Sequence, residues 1–132
     1  MPMNFRIEFD AKIRIALIAY ENEVTESTLM AGFQAIAAFA AENSVEGIIT
    51  DFSKVTGTDI SAAFVRRLAD SNPVIAPGKP SVIVAPQAVM FGMARVFQTL
   101  RERDGTDNVV VRSLQDALKL MGLEGCEFTP MG

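Results

Sequence analysis

Residues 51–61, DFSKVTGTDIS, gather four hydroxyl side chains, two carboxylates, one lysine and one glycine. Three kinds of chemistry suit such a set. Asp51, Lys54 and Asp59 have side-chain types that can hold a metal or a charged substrate, although nothing else in the chain converges on them by spacing. A hydroxyl beside a helix start can carry a phosphate, which adds roughly −1.5 to −2 charge at neutral pH and reorganises that terminus. The same residue types also cap helices and close turns, and Gly57 permits positive φ. Gly57 is isolated, so neither a phosphate-binding loop nor a dinucleotide fingerprint is present.

The rest of the composition narrows the field. The chain has no histidine, which removes the usual acid/base group near neutral pH and the commonest zinc ligand. Ser–His–Asp and Cys–His nucleophiles are excluded within one chain. No catalytic constellation, metal site or cofactor is therefore expected. Cys126 is the only cysteine, so no intramolecular disulfide can form, in keeping with a reducing cytoplasm. A net charge of −4 argues against a general nucleic-acid or anionic-membrane surface. The opening MPMNFRIEFD lacks the apolar core of a signal peptide, and no apolar run approaches the roughly 20 residues that span a bilayer. A soluble protein is expected.

With 132 residues, 49% of them hydrophobic and 21% charged, the chain fits one globular domain. NFRIEF (4–9) alternates like a half-exposed strand, and Asp10-Ala11 turns into a second strand over 12–20. Thr25 is a good N-cap for a helix to about Glu42, which carries Leu29, Phe33, Ile36, Ala37 and Ala40 along one face. The other faces of that helix are nearly as apolar, which allows tight packing on a sheet or a subunit contact. VEGIITDF (45–52) reads as a buried central strand, followed by a helix from about Asp59 to Asp70. Pro73, Pro77 and Pro80 break the stretch 71–80. A buried strand (81–85), a helix from Pro86 to Arg103, a strand (107–112) and a helix capped by Ser113 and ended at Gly122 complete the core. Residues 123–132 read as a tail.

The order β-β-α-β-α-β-α-β-α implies an α/β fold with a mostly parallel five-stranded sheet, flanked by helices and edged by an antiparallel hairpin. In such a sheet ligands usually meet the carboxyl ends of the strands. Asp51 to Asp59 and Ala85-Pro86-Gln87 would lie there, beside a helix start that favours an anion.

The element order and this segment together resemble the STAS domains, the group containing the bacterial anti-sigma-factor antagonists. Those proteins carry Asp-Leu at the end of the third strand. Eight residues after its Asp, an Asp-Ser-Ser-Gly motif presents a phosphorylated second Ser. Here Asp51-Phe52 is followed at the same spacing by Asp59-Ile60-Ser61-Ala62, so the resemblance places Ser61 on the phosphorylatable position. Ile60 and Ala62 depart from the motif. On a helical wheel Ser61 also sits beside Ile60, Phe64, Val65 and Leu68, an inward direction. VIVAPQAVMFGMARVFQTLRE (82–102) further resembles the SpoIIAA-like branch, related to STAS and Sec14 proteins, in which an Ala-Pro turn leads into a helix bearing Phe-Gly-x-Ala-Arg. The likeness covers most of residues 4–121 and implies a single SpoIIAA-like domain.

On that helix Val89, Met90, Met93, Ala94, Val96, Phe97 and Leu100 form a broad core face. Phe91 instead groups with Arg95, Gln98 and Glu102 on the polar side, where an aromatic can seat a ligand or a partner. Arg95 suits an anionic headgroup or a surface ion pair. Two functional readings follow, both without catalysis. One is a STAS-like regulatory module that binds a protein partner and forms a homodimer, using the Asp59 helix start with Asp51, Lys54 and Ser61, and the surface around Met90, Phe91 and Arg95. The alternative is a carrier of an apolar or amphipathic, lipid-like small molecule held between the 86–103 helix and the 71–80 loop.

Overall fold

The computed structural model of the chain describes residues 4–71, 74, 78–102, 108–123, 125 and 128–131. Strands β1 (Phe5–Asp10) and β2 (Ile15–Thr25) form the antiparallel hairpin, in register from Phe5↔Tyr20 to Asp10↔Ile15. The turn between them is closed by the Asp10 carboxylate, which accepts from the Lys12 N–H at 2.9 Å. Then follow α1 (Glu26–Glu42), β3 (Gly47–Asp59), α2 (Ala62–Asp70), β4 (Ser81–Val84), α3 (Ala88–Glu102), β5 (Asn108–Val111) and α4 (Leu114–Leu120). The expected order of five strands and four helices is present. Thr25 and Ser113 cap α1 and α4 as their positions imply, their hydroxyls accepting from Thr28 and Asp116 N–H groups.

A sixth short strand, β6 (Thr129–Met131), comes from the segment read as a tail and pairs antiparallel with β1. It covers the outer edge of β1, which would otherwise present unpaired backbone groups. The sheet order is therefore β5-β4-β3-β2-β1-β6.

Strands β2 to β5 are mutually parallel and laid side by side in chain order. Three right-handed crossovers in one direction place α1, α2 and α3 on the same face of the sheet. Alternation along the strands then divides the core in two. Ala16, Ile18 and Tyr20 of β2, Ile48 and Phe52 of β3, and Ile83 of β4 meet the three helices. Leu17, Ala19, Ile49, Val82 and Val84 point the other way, onto the short α4.

The largest departure from expectation lies in residues 51–59. They continue β3 rather than forming a loop, because β2 runs beside them as far as Thr25, opposite Asp59. Two bulges accommodate this. Ala19 faces Asp51 while Glu21 faces Lys54, and Asn22 faces Val55 while Glu23 faces Gly57, so β3 carries one extra residue at each step. Beyond Asp51 the other edge of β3 has no β4 residue to pair with, since β4 ends at Val84 opposite Asp51. The Gln87 amide Nε2 fills that gap, donating to the carbonyls of Phe52 (3.2 Å) and Val55 (2.7 Å).

Helix α3 is narrower in its contacts than its periodicity implied. Met90, Ala94 and Arg101 are buried, whereas Val89 and Val96, expected in the core, are 59% and 45% exposed. The inward stripe is Met90, Ala94, Phe97 and Arg101, at offsets of 4, 7 and 11 residues from Met90. The two valines lie one helical step outside it.

Candidate functional site

The sequence places Asp51 and Ser61 in one site, and the extended chain separates them. At roughly 3.3 Å per residue, the run from Asp51 to Asp59 spans on the order of 20 Å even with its bulges. Asp51 is 8% exposed, and its carboxylate accepts from the backbone N–H (2.9 Å) and hydroxyl (2.5 Å) of Ser53. Both contacts fall within the first bulge of β3. Lys54 and Asp59 are exposed on the far half of β3. Among the described residues no group of three or more acidic, histidine or cysteine side chains could hold a metal ion.

Ser61 is not inside a helix. The helix begins at Ala62, three residues later than expected, and Ser61 is its N-cap and exposed. Its hydroxyl accepts from the Phe64 N–H at 3.1 Å, and its own N–H donates to the Glu26 carboxylate at 2.8 Å. Glu26, in the first turn of α1, thus occupies the anion position at the start of α2 and ties the two helices together. Arg67 stands 4.0 Å from the same carboxylate. The Ser61 N–H holds the Glu26 carboxyl below the usual glutamate range, with the Ser61 hydroxyl and Arg67 acting in the same sense. A depressed carboxyl contributes stability above its unfolded value and loses that contribution as pH falls through the folded value. The Ser61 amide proton resonance is therefore expected to titrate with a midpoint below the ordinary glutamate range, and to stop titrating in Glu26→Gln. An ordinary midpoint in the wild type would contradict the contact.

The α3 residues separate as well. Met90 is buried at 4% exposure. Phe91 is half-buried against the core and lies under the Arg112 guanidinium, 4.1 Å from the ring centroid. Its outer face is therefore partly covered by a cation from the end of β5. Arg95 is exposed and makes no ion pair among the described residues, with Glu102 or any other acid.

Sequence reasoning missed the feature that these elements do assemble. Between the sheet and helices α1, α2 and α3 lies a cavity of about 130 Å³. Its walls are apolar, including Ile18, Phe33, Ile83, Met90 and Met93. The Tyr20 ring forms part of one side, stacked on Phe52 at 5.1 Å, with its hydroxyl donating to the Leu29 carbonyl at 3.3 Å. Burial raises the Tyr20 hydroxyl above its usual pKa, so it remains a neutral phenol. At the opposite end, where β4 and β5 begin, the lining turns polar with Ser81, Asn108 and Arg101. Arg101 is 2% exposed and donates to the carbonyls of Ser71 (2.7 Å) and Leu68 (3.3 Å). One signal for Arg101 was available, since it falls on the apolar stripe of α3. Asn108 carried none. The 71–80 loop, expected to hold a ligand against α3, has residues 72, 73 and 75–77 outside the described residues, although Val74 does line the cavity.

Comparison with solved structures identifies this architecture. The unphosphorylated anti-sigma factor antagonist SpoIIAA superposes with a TM-score of 0.57, over 92% of this chain and 98% of its own, at 16% sequence identity. The chain has a SpoIIAA-like, STAS-type fold. An uncharacterised protein with a SpoIIAA-like fold from Shewanella loihica PV-4 matches with a TM-score of 0.54, over 88% of this chain and 90% of its own, at 12% identity. No family model matches the chain, and no curated protein does. The STAS-type fold rests on the α/β order and sheet topology, which the sequence resemblance also implied. No helix among the described residues is long and apolar enough to cross a membrane.

Proposed function

We propose that this STAS-type chain is a non-enzymatic binding module whose first role is to hold a small apolar or amphipathic molecule between its sheet and helices α1 to α3. The cavity is the observation that carries this reading. Native cores are packed to the density of organic crystals, and voids larger than a water molecule are few. An engineered apolar cavity of ~150 Å³ stays dry and takes up benzene. A comparable space here, about 130 Å³ and lined by adaptable Met90 and Met93, is suited to a ligand.

A second reading is favoured by one specific observation, the exposure of Ser61 at the start of α2. The module would then bind a protein partner or a second copy of itself through the surface around Asp59 and Ser61. A phosphate on Ser61 would stand beside the Glu26 carboxylate and repel it, releasing α1 from α2. Phe91 and Arg95 would extend that surface along α3, and Lys54 along β3. SpoIIAA is an anti-sigma factor antagonist, and its regulatory role comes to this chain only as part of this reading.

Native mass spectrometry on protein purified from its own host tests both readings. A small-molecule adduct lost on mild activation, together with unmodified Ser61, is the expected result. A ligand-free mass would overturn the carrier reading. A phosphorylated Ser61 or a stoichiometric protein partner would favour the second.

A further inference from the structure

The polar end of the cavity holds a hydrogen-bond donor without a partner among the described residues. Asn108 is the first residue of β5 and stands opposite Ser81 of β4. Alternation sends its side chain to the same face as Val110, which packs in the core on the side of α1, α2 and α3. There Asn108 lines the cavity at 6% exposure, and its Nδ2 is buried with no hydrogen-bond partner. Buried amides are rarely left so, because an orphaned donor forfeits its hydration without replacement. An amide nitrogen can only donate. The Thr50 and Ser81 hydroxyls on the same walls can donate or accept, so they set no requirement of their own. Arg101 is already engaged with the carbonyls of Ser71 and Leu68. The demand at this end therefore comes from Asn108, for a group that accepts a hydrogen bond.

We propose that the cavity is a site for small neutral apolar molecules bearing one acceptor oxygen, such as ketones, esters or ethers. That oxygen accepts from Asn108 Nδ2, a specificity that rests on the ligand-holding reading above. Neutrality follows from the rest of the lining. Ile18, Phe33, Ile83, Met90 and Met93 are apolar, and a buried charge is costly unless it is paired and hydrogen-bonded. A carboxylate has about four lone-pair sites to satisfy, whereas one carbonyl or ether oxygen is served by the protons of a single amide. The volume of about 130 Å³ suits one six-membered ring or a chain of similar size, since a cavity of ~150 Å³ holds benzene.

The test is a nuclear magnetic resonance titration of the intact chain, read at the methyls of Met90 and Met93 and at the Asn108 side-chain amide. Cyclohexanone and methylenecyclohexane share one shape, the oxygen of the first standing where the second has a CH₂ group. Pentanoate is the charged probe. In the wild type, cyclohexanone is expected to shift an Asn108 side-chain proton downfield. Methylenecyclohexane is expected to move the methyls without that shift, and pentanoate to bind more weakly than cyclohexanone. Asn108→Leu is close in size and removes the orphaned donor, so the variant should fold at least as well as the wild type. It is expected to weaken cyclohexanone about tenfold relative to methylenecyclohexane, the margin of one hydrogen bond. A cyclohexanone complex with no shift at the Asn108 amide, or an unchanged ratio of the two ring probes in Asn108→Leu, would overturn the acceptor assignment and leave the apolar-ligand reading standing. Tighter binding of pentanoate than of cyclohexanone would overturn the neutral class. No perturbation of the methyls by any probe would overturn both the assignment and the ligand-holding reading.

Discussion

Arg101→Ala is expected to destabilise the fold by about 2–4 kcal/mol, since a hydrogen bond from a charged group contributes about 1.5–3 kcal/mol and a long buried side chain is lost with it. The guanidinium donates to Ser71 and Leu68, where α2 ends, and lies 5.2 Å from the centroid of the Phe97 ring. Its loss leaves the two carbonyls of α2 without this donor and opens a void beside the cavity. Arg101→Met keeps much of the buried stem and should recover part of the loss, because a long arginine contributes packing as well as charge. Chemical denaturation measures both variants, with a shifted midpoint and an unchanged slope marking a pure stability effect. A loss below about 1 kcal/mol for the alanine variant would mean that Arg101 does not hold the end of α2 to α3.

Gly32→Ala is expected to loosen α1, against the usual preference for alanine in a helix. Gly32 and Ile36 are the buried residues of α1, Leu29, Phe33 and Phe39 pack against the same core, and Gly32 lies directly over the Tyr20 ring. A Cβ at this position would lie 2.2 Å from the Tyr20 hydroxyl oxygen and 2.7 Å from the ring atoms Cε1 and Cζ. Tyr20 is 3% exposed, stacked on Phe52 and hydrogen-bonded to the Leu29 carbonyl, so moving the ring towards the cavity would give up both contacts. Overpacking of this kind costs about 1–3 kcal/mol, while alanine in place of glycine returns up to about 1 kcal/mol of helix propensity. The expected balance is a loss of about 1–2 kcal/mol. Faster amide exchange along α1 should accompany it. Tyr20→Phe removes the atom of closest approach, so Gly32→Ala should cost less in that background, a coupling that a double-mutant cycle reads directly. Additive effects would show that α1 does not pack on Tyr20 as described.

Both residues bear on the cavity, from opposite sides. Tyr20 lines it under α1, and Arg101 closes its polar end beneath α3. Losing either contact should therefore alter ligand uptake as well as stability.

Much of this architecture was legible in local patterns. Thr25 and Ser113 announce the starts of α1 and α4, and Gly122, with φ of +68°, lies just past the end of α4. Alternating strands and helices imply the parallel sheet with its right-handed crossovers. Capping depends on a few neighbouring residues, and amphipathic periodicity on a window of one or two turns, so both can be read along the chain. The face of α3 was read too broadly for the same reason. A helical wheel shows which residues share a direction, but not how wide a stripe the neighbours will cover, and Val89 and Val96 fell outside it.

The stretch DFSKVTGTDIS shows where local reading ends. Its hydroxyls, acids and glycine have the composition of a loop, yet β2 continues to Thr25 and draws residues 51–59 into the sheet. Pairing partners thirty residues away outweigh weak local preferences. Asp51 and Ser61 then part company, and Glu26, an acid in the first turn of α1, becomes the group that meets Ser61. The cavity is a still more distant consequence. Arg101, Asn108 and Ser81 come together because the starts of β4 and β5 lie beside the end of α3, and only the finished packing leaves space between them. By itself the sequence determined the order of elements, the caps and the absence of histidine chemistry. Tertiary structure decided which polar groups are buried without partners, because that depends on neighbours supplied by the whole fold.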